Sequence, residues 1–196
     1  MSYYPSRIDE HFCRPHNIGE IEDASAVGEA GSLTCGALLK LSLKIDSLSH
    51  VISAAKFKVT GCGVLIAGAS VLTEMLTGRA LGEVAAMFHN LENTIAVYFN
   101  EIPANKIHCV RLCREALDAT IMNYRAAALE EWTGEEALIC TCFGVSEKTI
   151  ESAIQTEQLQ TITQITRACN AGGGCGSCHP LIEDMLDTYW HTGVKR

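Results

Sequence analysis

Residues 54–76 read AAKFKVTGCGVLIAGASVLTEML and change their hydrophobic pattern at Cys62. Before this cysteine, residues 55–60 alternate between apolar and polar side chains, which is typical of a half-buried β-strand. After it, residues 64–76 are mostly apolar without alternation and are followed by Gly78, which predicts a buried helix with a glycine stop. The stretch therefore predicts a strand, a short Gly-Cys-Gly connection and a helix.

A second alternating segment precedes this one. Leucine or isoleucine occupies positions 39, 41, 43 and 45, and polar residues stand between them. Because residues 46–50 join the two segments, we expect an antiparallel pair of strands with one face toward solvent. Residues 21–27 are expected to add an edge strand.

Helices are expected to follow the strands. Residues 90–101 form one candidate, and residues 108 to about 129 carry apolar side chains at three- and four-residue steps, which is the stripe of a long helix. Strands followed by helices predict an α+β fold, in which helices pack on an antiparallel sheet.

An acidic stretch at residues 130–136 interrupts these patterns and indicates a domain boundary. We expect a first domain over residues 1–130, a linker over 131–137 and a second domain over 138–196.

The second domain is expected to be small and all-α. Ser146 is a candidate cap for its first helix, Thr161 and Gln164 have the spacing of a capping box for the next, and Pro180 suits the first turn of the last. Helices this short need more than apolar burial to stabilise them, and a cluster or a metal ion would supply it.

Composition narrows the classes of function. The chain has 196 residues, 47% of them apolar, a net charge of −8 and a pI near 5.3, which argues against a nucleic-acid partner. No apolar run approaches the roughly 20 residues of a membrane span, and residues 1–7 lack the order of a secretory signal. We therefore expect a cytoplasmic protein whose ten cysteines serve as ligands or reactive thiols rather than as disulfides.

Four cysteines of the second domain form two chelating pairs, Cys140 with Cys142 and Cys175 with Cys178. Soft thiolates are the ligands that iron–sulfur clusters and zinc select. Glycines are concentrated in residues 172–176, where they let the backbone approach the sulfur atoms closely. The residues alone leave open whether the pairs hold one cluster or one tetrahedral zinc ion.

Three cysteines of the first domain lie at element junctions. Cys35 precedes a strand, Cys62 lies between strand and helix, and Cys109 opens the long helix together with His108. Loop ends from separate elements can converge on one exposed metal site. Single cysteines are also common in protein cores, so the spacing alone is weak support.

The C-x-C and C-x₂-C pairs resemble the ferredoxin-like domain in the middle of NifU proteins and the small bacterioferritin-associated ferredoxins. The resemblance implies that Cys140, Cys142, Cys175 and Cys178 ligate one permanent 2Fe-2S cluster. Cys169 lies outside the pattern and is expected to be a small buried hydrophobe. His179 is expected to be exposed at a helix start.

The first domain resembles the U-type scaffold domain shared by NifU and IscU, from about residue 4 to residue 128. The residues and short motifs that carry the resemblance are Tyr4, His11-Phe12, Pro15, Asn17, Gly19, Cys35-Gly36, Lys56-Phe57-Lys58, Gly61-Cys62-Gly63 and His108-Cys109.

This resemblance implies an IscU-like fold and a site for a transient 2Fe-2S or 4Fe-4S cluster on Cys35, Cys62 and Cys109. His108 is a candidate fourth ligand or a hydrogen-bond donor behind the ligands, and zinc is a possible occupant of the same site. Cys109 is the candidate acceptor of a persulfide. Lys106 also matches the family, and its charge would favour a nearby thiolate.

Position 37 departs from the family, which has aspartate two residues after the first cysteine where this chain has Ala37. A carboxylate is a harder and more exchangeable iron ligand than a thiolate. The alanine is therefore expected to make the site hold a cluster longer and release it less readily.

Further departures concern partners and extra thiols. Residues 102–106 replace the chaperone-recognition run Leu-Pro-Pro-Val-Lys of IscU, so we do not expect dependence on that chaperone. Cys13 and Cys113 are additional thiols, and Cys113 is expected in the core. Full-length NifU resembles this chain plus a third domain with another C-x₂-C, which this sequence lacks, so we expect a truncated or naturally shorter form.

The resemblance implies a scaffold rather than an enzyme. It would build a cluster from iron and the sulfur of a NifS-like cysteine desulfurase and pass it to apo-proteins, with nitrogenase maturation as a candidate context. An electron donor and a homodimer are further possibilities. Two alternatives remain: a 2Fe-2S electron-transfer ferredoxin with a partner-docking domain, and a zinc-binding interaction protein.

Overall fold

The computed structural model describes residues 4–47, 49–88, 90–130, 134, 136–174 and 176–191. Cys175 and most of the predicted linker, residues 131–133 and 135, lie outside the described residues. The chain divides into two compact units. The first unit contains residues 1–46, 51–79 and 87–124, and the second contains residues 47–50, 80–86 and 125–196.

The first unit contains a three-stranded antiparallel sheet. Its strands are β1 (Ala26–Ser32), β2 (Ala37–Ile45) and β3 (Ile52–Thr60), in that spatial order. In the register of the sheet, Leu41 of β2 lies opposite Gly28 of β1 on one side and Phe57 of β3 on the other. The predicted pair of alternating strands is confirmed, because the leucines at odd positions of β2 are buried.

The predicted edge strand is largely wrong in its bounds, since residues 21–25 precede β1 and the strand continues to Ser32. Asp23 is held by Lys44, whose ammonium donates to both its carboxylate (2.6 Å) and its carbonyl (2.7 Å). Asp23 is thus tied to β2 by a lysine side chain, and the strand pairing begins only at Ala26. A turn at residues 33–36 joins β1 to β2 and carries Cys35.

Among the described residues, five helices lie wholly or partly in the first unit. They are α1 (Ser6–Cys13), α2 (Gly63–Leu76), α3 (Leu81–Phe88), α4 (Leu91–Phe99) and α5 (Ile107–Glu130), the last preceded by a 3-10 turn over Ala104–Lys106. The predictions of α2, α4 and α5 are confirmed to within one or two residues at each end. Within the described ranges, no helix has both the length and the apolar character needed to cross a membrane.

The sequence analysis missed α1 and α3. Each has only eight residues, which is too short for a hydrophobic period to stand out. In α1 only Ile8 and His11 are buried, so its apolar face is narrow.

Small residues let the helices of the first unit approach the sheet and one another. A Cβ on Gly28 would lie 2.2 Å from the backbone nitrogen of Thr120, so β1 contacts α5 directly. A Cβ on Gly68 of α2 would lie 3.0 Å from the Cys113 sulfur. Cys113 is fully buried, as predicted.

The second unit contains the three predicted helices, α6 (Glu147–Glu157), α7 (Ile162–Cys169) and α8 (His179–His191). The Ser146 hydroxyl accepts from the Thr149 N–H, and Thr161 with Gln164 forms the predicted capping box. The domain is not entirely α-helical, because β4 (Leu138–Cys140) and β5 (Val145–Ser146) form a short antiparallel ribbon. Its few residues carry too little alternation to be predicted.

Candidate metal centres

Three separate elements of the first unit bring four candidate ligands together. Cys35 lies on the turn between β1 and β2, Cys62 precedes α2, and His108 and Cys109 lie in the first turn of α5. The sulfurs of Cys62 and Cys109 are 3.3 Å apart. His108 Nε2 lies 3.7 Å from the Cys35 sulfur and 3.6 Å from the Cys109 sulfur. We call this set the junction site.

Glycines shape the backbone around the junction site. Gly36 follows Cys35 with a φ of +66°, in the left-handed region that favours glycine. A Cβ on Gly63 would lie 2.5 Å from the Tyr4 ring and 3.1 Å from the Phe12 ring, so these two rings cover the backbone beside Cys62. The aromatic residues singled out in the sequence therefore support the position of this cysteine.

Cys35 is the exposed thiol of the junction site. Its pKa is lowered, first by a hydrogen bond from Ser32, then by the backbone N–H of Ala37, with a smaller effect of the Lys106 charge. Cys35 therefore forms a nucleophilic thiolate more readily than an ordinary cysteine.

Cys109 is the opposite kind of thiol. It is 1% exposed, and burial first, then the neighbouring Cys62, raises its pKa to about 12. Lys106 opposes this shift, in the direction expected from its charge. A bound cation would stabilise both thiolates and reverse the effect of their mutual repulsion.

Ala37 begins β2 beside the site and is buried. Its methyl group is 3.4 Å from where a Cβ on Gly61 would lie. The side chain can offer no ligand, so the four groups at this end of the sheet are three thiols and one imidazole. A cavity of about 440 Å³ adjoins them and is lined in part by Cys35, His108, Arg111 and Glu115.

A second group of possible ligands in the first unit comprises His11, His16 and Glu74, whose ligand atoms lie within 4.8 Å of one another. His11 Nδ1 is 3.0 Å from the Ser70 hydroxyl, and its Nε2 is 2.9 Å from the Tyr98 hydroxyl. His16 pairs with the Glu74 carboxylate. Because both His11 nitrogens already have partners, the group fits a hydrogen-bond network that ties α1 to α2 and α4 better than a metal site.

The second unit places three of the four paired cysteines. Cys140 ends β4, Cys142 follows in the turn, and Cys178 directly precedes α8. Cys140 and Cys178 are buried, and burial first, then the charge of Cys140, raises the pKa of Cys178 to about 11. With Cys175, which lies outside the described residues, these cysteines are called the paired site.

The glycine-rich segment before α8 lies against the paired site. A Cβ on Gly174 would lie 2.8 Å from the Cys142 Cβ and 2.9 Å from its sulfur. Gly172 and Gly176 have φ values of +83° and +75°. His179 is half-buried rather than exposed as expected, because its Nε2 lies 2.9 Å from the Gly172 carbonyl and its ring packs on this segment.

The remaining cysteines and the charge near the paired site bear on what it can hold. Cys169 is buried and donates to the Ile165 carbonyl at 3.3 Å, in agreement with its predicted core role. Among the residues that the structure describes, Arg125 has a buried Nε without a hydrogen-bond partner. Thiolate ligands, a glycine cradle and an unpartnered cationic donor fit an anionic metal–sulfur group.

The sequence matches two known families. Residues 3–131 match the family described as "NifU-like N terminal domain", and residues 138–188 match the "BFD-like 2Fe-2S binding domain". Together the two matches include every cysteine of the junction and paired sites.

Individual relatives cover most of the chain. The nitrogen fixation protein NifU of Azotobacter chroococcum is 38% identical over 183 residues, which are 93% of this chain and 58% of the relative. The iron–sulfur cluster assembly scaffold protein IscU of Aquifex aeolicus is 34% identical over 157 residues, 78% of this chain and 94% of the relative. The chain spans about 60% of the length of the curated NifU relatives that it matches.

A solved structure supports the fold of the first domain. The crystal structure of the N-terminal part of a NifU-like protein from Brucella abortus superposes with a TM-score of 0.51 at 18% identity. The superposition covers 62% of this chain and 93% of the Brucella abortus chain.

Proposed function

This chain belongs to the NifU family, and on that basis we propose that it is a scaffold that assembles iron–sulfur clusters rather than an enzyme. The junction site would build a transient cluster from iron and desulfurase-derived sulfur and pass it to apo-proteins. The paired site would hold a permanent 2Fe-2S cluster. The observation that carries the proposal is that three elements bring Cys35, Cys62, His108 and Cys109 together. Their neighbouring sulfur and nitrogen atoms lie 3.3–3.7 Å apart.

The composition of the junction site suits cargo that must enter and leave. Iron and sulfide are substrates here, and thiolates bind both the metal and the assembled cluster. Cys35 lies on an exposed turn, whereas Cys62 and Cys109 lie deeper. A partner protein can therefore reach one ligand directly while the other two retain the cargo. His108, in contact with both Cys35 and Cys109, can act as the fourth ligand.

We propose Cys109 as the persulfide acceptor. Sulfur transfer moves a neutral sulfur atom from the persulfide of the desulfurase to an attacking thiolate, and two electrons must then reduce it to sulfide, so an electron donor belongs to the proposal. In the free protein Cys35 is the more exposed thiol with the lower pKa, which makes it the direct competitor of Cys109 for this role.

The context follows from the relatives. Their names associate them with nitrogen fixation and with cluster assembly, so we propose a NifS-like cysteine desulfurase as the sulfur source and apo-proteins of nitrogen fixation among the acceptors. We propose a cytoplasmic location, where the thiols stay reduced.

Anaerobic reconstitution tests the function. The full chain is incubated with ferrous iron, cysteine, a cysteine desulfurase and a thiol reductant that supplies the two electrons per sulfur, then mixed with an apo-ferredoxin. We expect iron and sulfide beyond the content of the paired site, followed by transfer to the acceptor. Cys62→Ala should abolish this extra cluster, while the control Cys13→Ala, an exposed thiol outside the site, should not. Transfer that persists in Cys62→Ala, or zinc in place of iron at both sites, would contradict the proposal.

A further inference from the structure

The second unit places one cation next to the paired site. We propose that Arg125 is the counter-charge of the 2Fe-2S cluster and raises its reduction potential; this inference rests on the proposed function of the paired site. Arg125 lies near the end of α5, outside the segment from residue 138 onward that contains all four paired cysteines.

The position of the guanidinium is fixed from two sides. Its Cζ lies 5.0 Å from the ring centroid of Phe143, which directly follows Cys142 and is itself buried. A Cβ on Gly174 would lie 3.2 Å from an Arg125 terminal nitrogen and 2.9 Å from the Cys142 sulfur. The guanidinium and this candidate ligand therefore flank the same short stretch of backbone.

Apart from the Phe143 ring, the guanidinium of Arg125 has no charged or hydrogen-bonding partner recorded in the described part of the chain. It joins none of the ion pairs found there, and its buried Nε donates to nothing. A buried donor that carries charge and lacks a partner is costly, so its position across Gly174 from the Cys142 sulfur indicates an anionic occupant. Arginine suits this role because it stays protonated and its planar fork can stack on a ring while it donates.

The proposed effect of this charge is on the reduction potential of the cluster. A 2Fe-2S cluster with four thiolate ligands is anionic, and reduction by one electron makes it one unit more negative. A fixed positive charge at close range in a partly buried site stabilises the reduced form more than the oxidised form. Net charge and hydrogen bonds to sulfur are the features that set the potentials of such clusters.

The test measures the reduction potential of the second-domain cluster in the full chain by a redox titration followed by electron paramagnetic resonance. A Cys62→Ala background removes the junction-site cluster from the signal. Arg125→Gln should lower the equilibrium constant for reduction about tenfold, which is about 59 mV for a one-electron couple. The matched control Arg167→Gln removes the same charge from an exposed position of α7 and should leave the potential unchanged.

Three further measurements make each outcome decisive. Arg125→Lys keeps the charge and should lower the equilibrium constant for reduction less than Arg125→Gln does. Arg125→Met supplies a second neutral variant. Iron and sulfide analysis of each variant separates cluster loss from a shift in potential. If the neutral variants keep the cluster at a lowered potential while Arg125→Lys stays closer to the unsubstituted value, the charge sets the potential, as proposed.

Equal potentials in Arg125→Gln and Arg167→Gln, with the cluster intact, would overturn the inference and leave the proposed function standing. Loss of the cluster in all three Arg125 variants would also overturn it, because packing rather than charge would then be the role of the residue. Zinc in the unsubstituted paired site would instead refute the proposed function of that site.

Discussion

The junction site and the paired site use the same ligand atom in two different arrangements. The junction site takes one thiol each from a turn and two helix starts, with His108 beside Cys109, and one of its thiols is exposed. The paired site takes its cysteines two at a time from positions two or three residues apart, and the described members are buried or half-buried. Chelating pairs on short loops favour retention, whereas single ligands on separate elements can be released one by one. We propose that the arrangement of the thiols, more than their number, makes one site suited to a transient cluster and the other to a permanent one.

The largest expected effect is loss of the permanent cluster. Residues 138–196 expressed alone should hold a 2Fe-2S cluster, because all four of its thiolates lie in that segment. Replacing any of Cys140, Cys142, Cys175 or Cys178 by Ala should abolish it, as measured by iron, sulfide and visible absorption.

The matched control for this loss is Cys169→Ala, which removes a buried thiol of the same unit that lies outside the pairs. A colourless fragment with one zinc ion per chain would show that the two sites do not differ in the way proposed.

Loss of sulfur acceptance is the corresponding effect at the junction site. Cys109→Ala should block persulfide formation with a cysteine desulfurase more strongly than Cys13→Ala or Cys113→Ala, as measured by persulfide labelling and mass spectrometry. Labelling that survives in Cys109→Ala and disappears in Cys35→Ala would assign the role to the exposed thiol.

The acidities of the junction thiols should also differ in the metal-free protein. The pKa of Cys35 is lowered and that of Cys109 is raised to about 12, so as pH rises Cys35 becomes a thiolate first. At pH 8, alkylation of Cys35 should be faster than that of Cys109 by more than about tenfold, even though lower pKa reduces intrinsic nucleophilicity. Peptide mapping after iodoacetamide treatment measures both rates, and equal rates would contradict the inferred asymmetry.

How much of this could be predicted from sequence depends on how local the signal is. Strands β2 and β3, helix α2 and the capping box at Thr161 follow from periods and spacings within one element, and all were predicted. The network of His11 with Ser70 and Tyr98 joins residues 59 and 87 positions apart, so no sequence window contains it.

In the candidate sites, too, sequence motifs identify the ligands but not the residues that contact them through tertiary packing. The resemblance identified all eight candidate ligands, but it did not reveal Arg125 or the contact of His179 with Gly172. These residues act through tertiary packing, and neither belongs to a spacing pattern. A lone arginine near the end of a helix stripe carries no signal until the chain is folded.

Two glycines offer a smaller test of the comparison. Gly174→Ala places a methyl group against Cys142, so it should disturb the paired site by steric contact and speed loss of its cluster to a chelator about tenfold. Gly36→Ala meets nothing within 4 Å and has only its positive φ to oppose it, a cost of about 1–2 kcal/mol. The rate of cluster loss to a chelator is measured for both variants, with thermal unfolding as the control for folding. Similar rates in both would contradict the steric role assigned to Gly174.

Position 37 gives the last way to move the junction site toward faster release. An aspartate there would offer a carboxylate that binds iron weakly and can admit water or an incoming thiolate, which gives the cluster a path out. Ala37 is buried beside Gly61 and offers neither, while its backbone N–H supports Cys35. One added release path can lower the barrier by about 1.4 kcal/mol, or about tenfold in rate. Ala37→Asp should therefore speed transfer from the junction site to an apo-acceptor and increase its sensitivity to chelators, while the paired site, with four thiolates of its own, should not respond. Equal transfer rates in the two forms would show that the carboxylate does not control release.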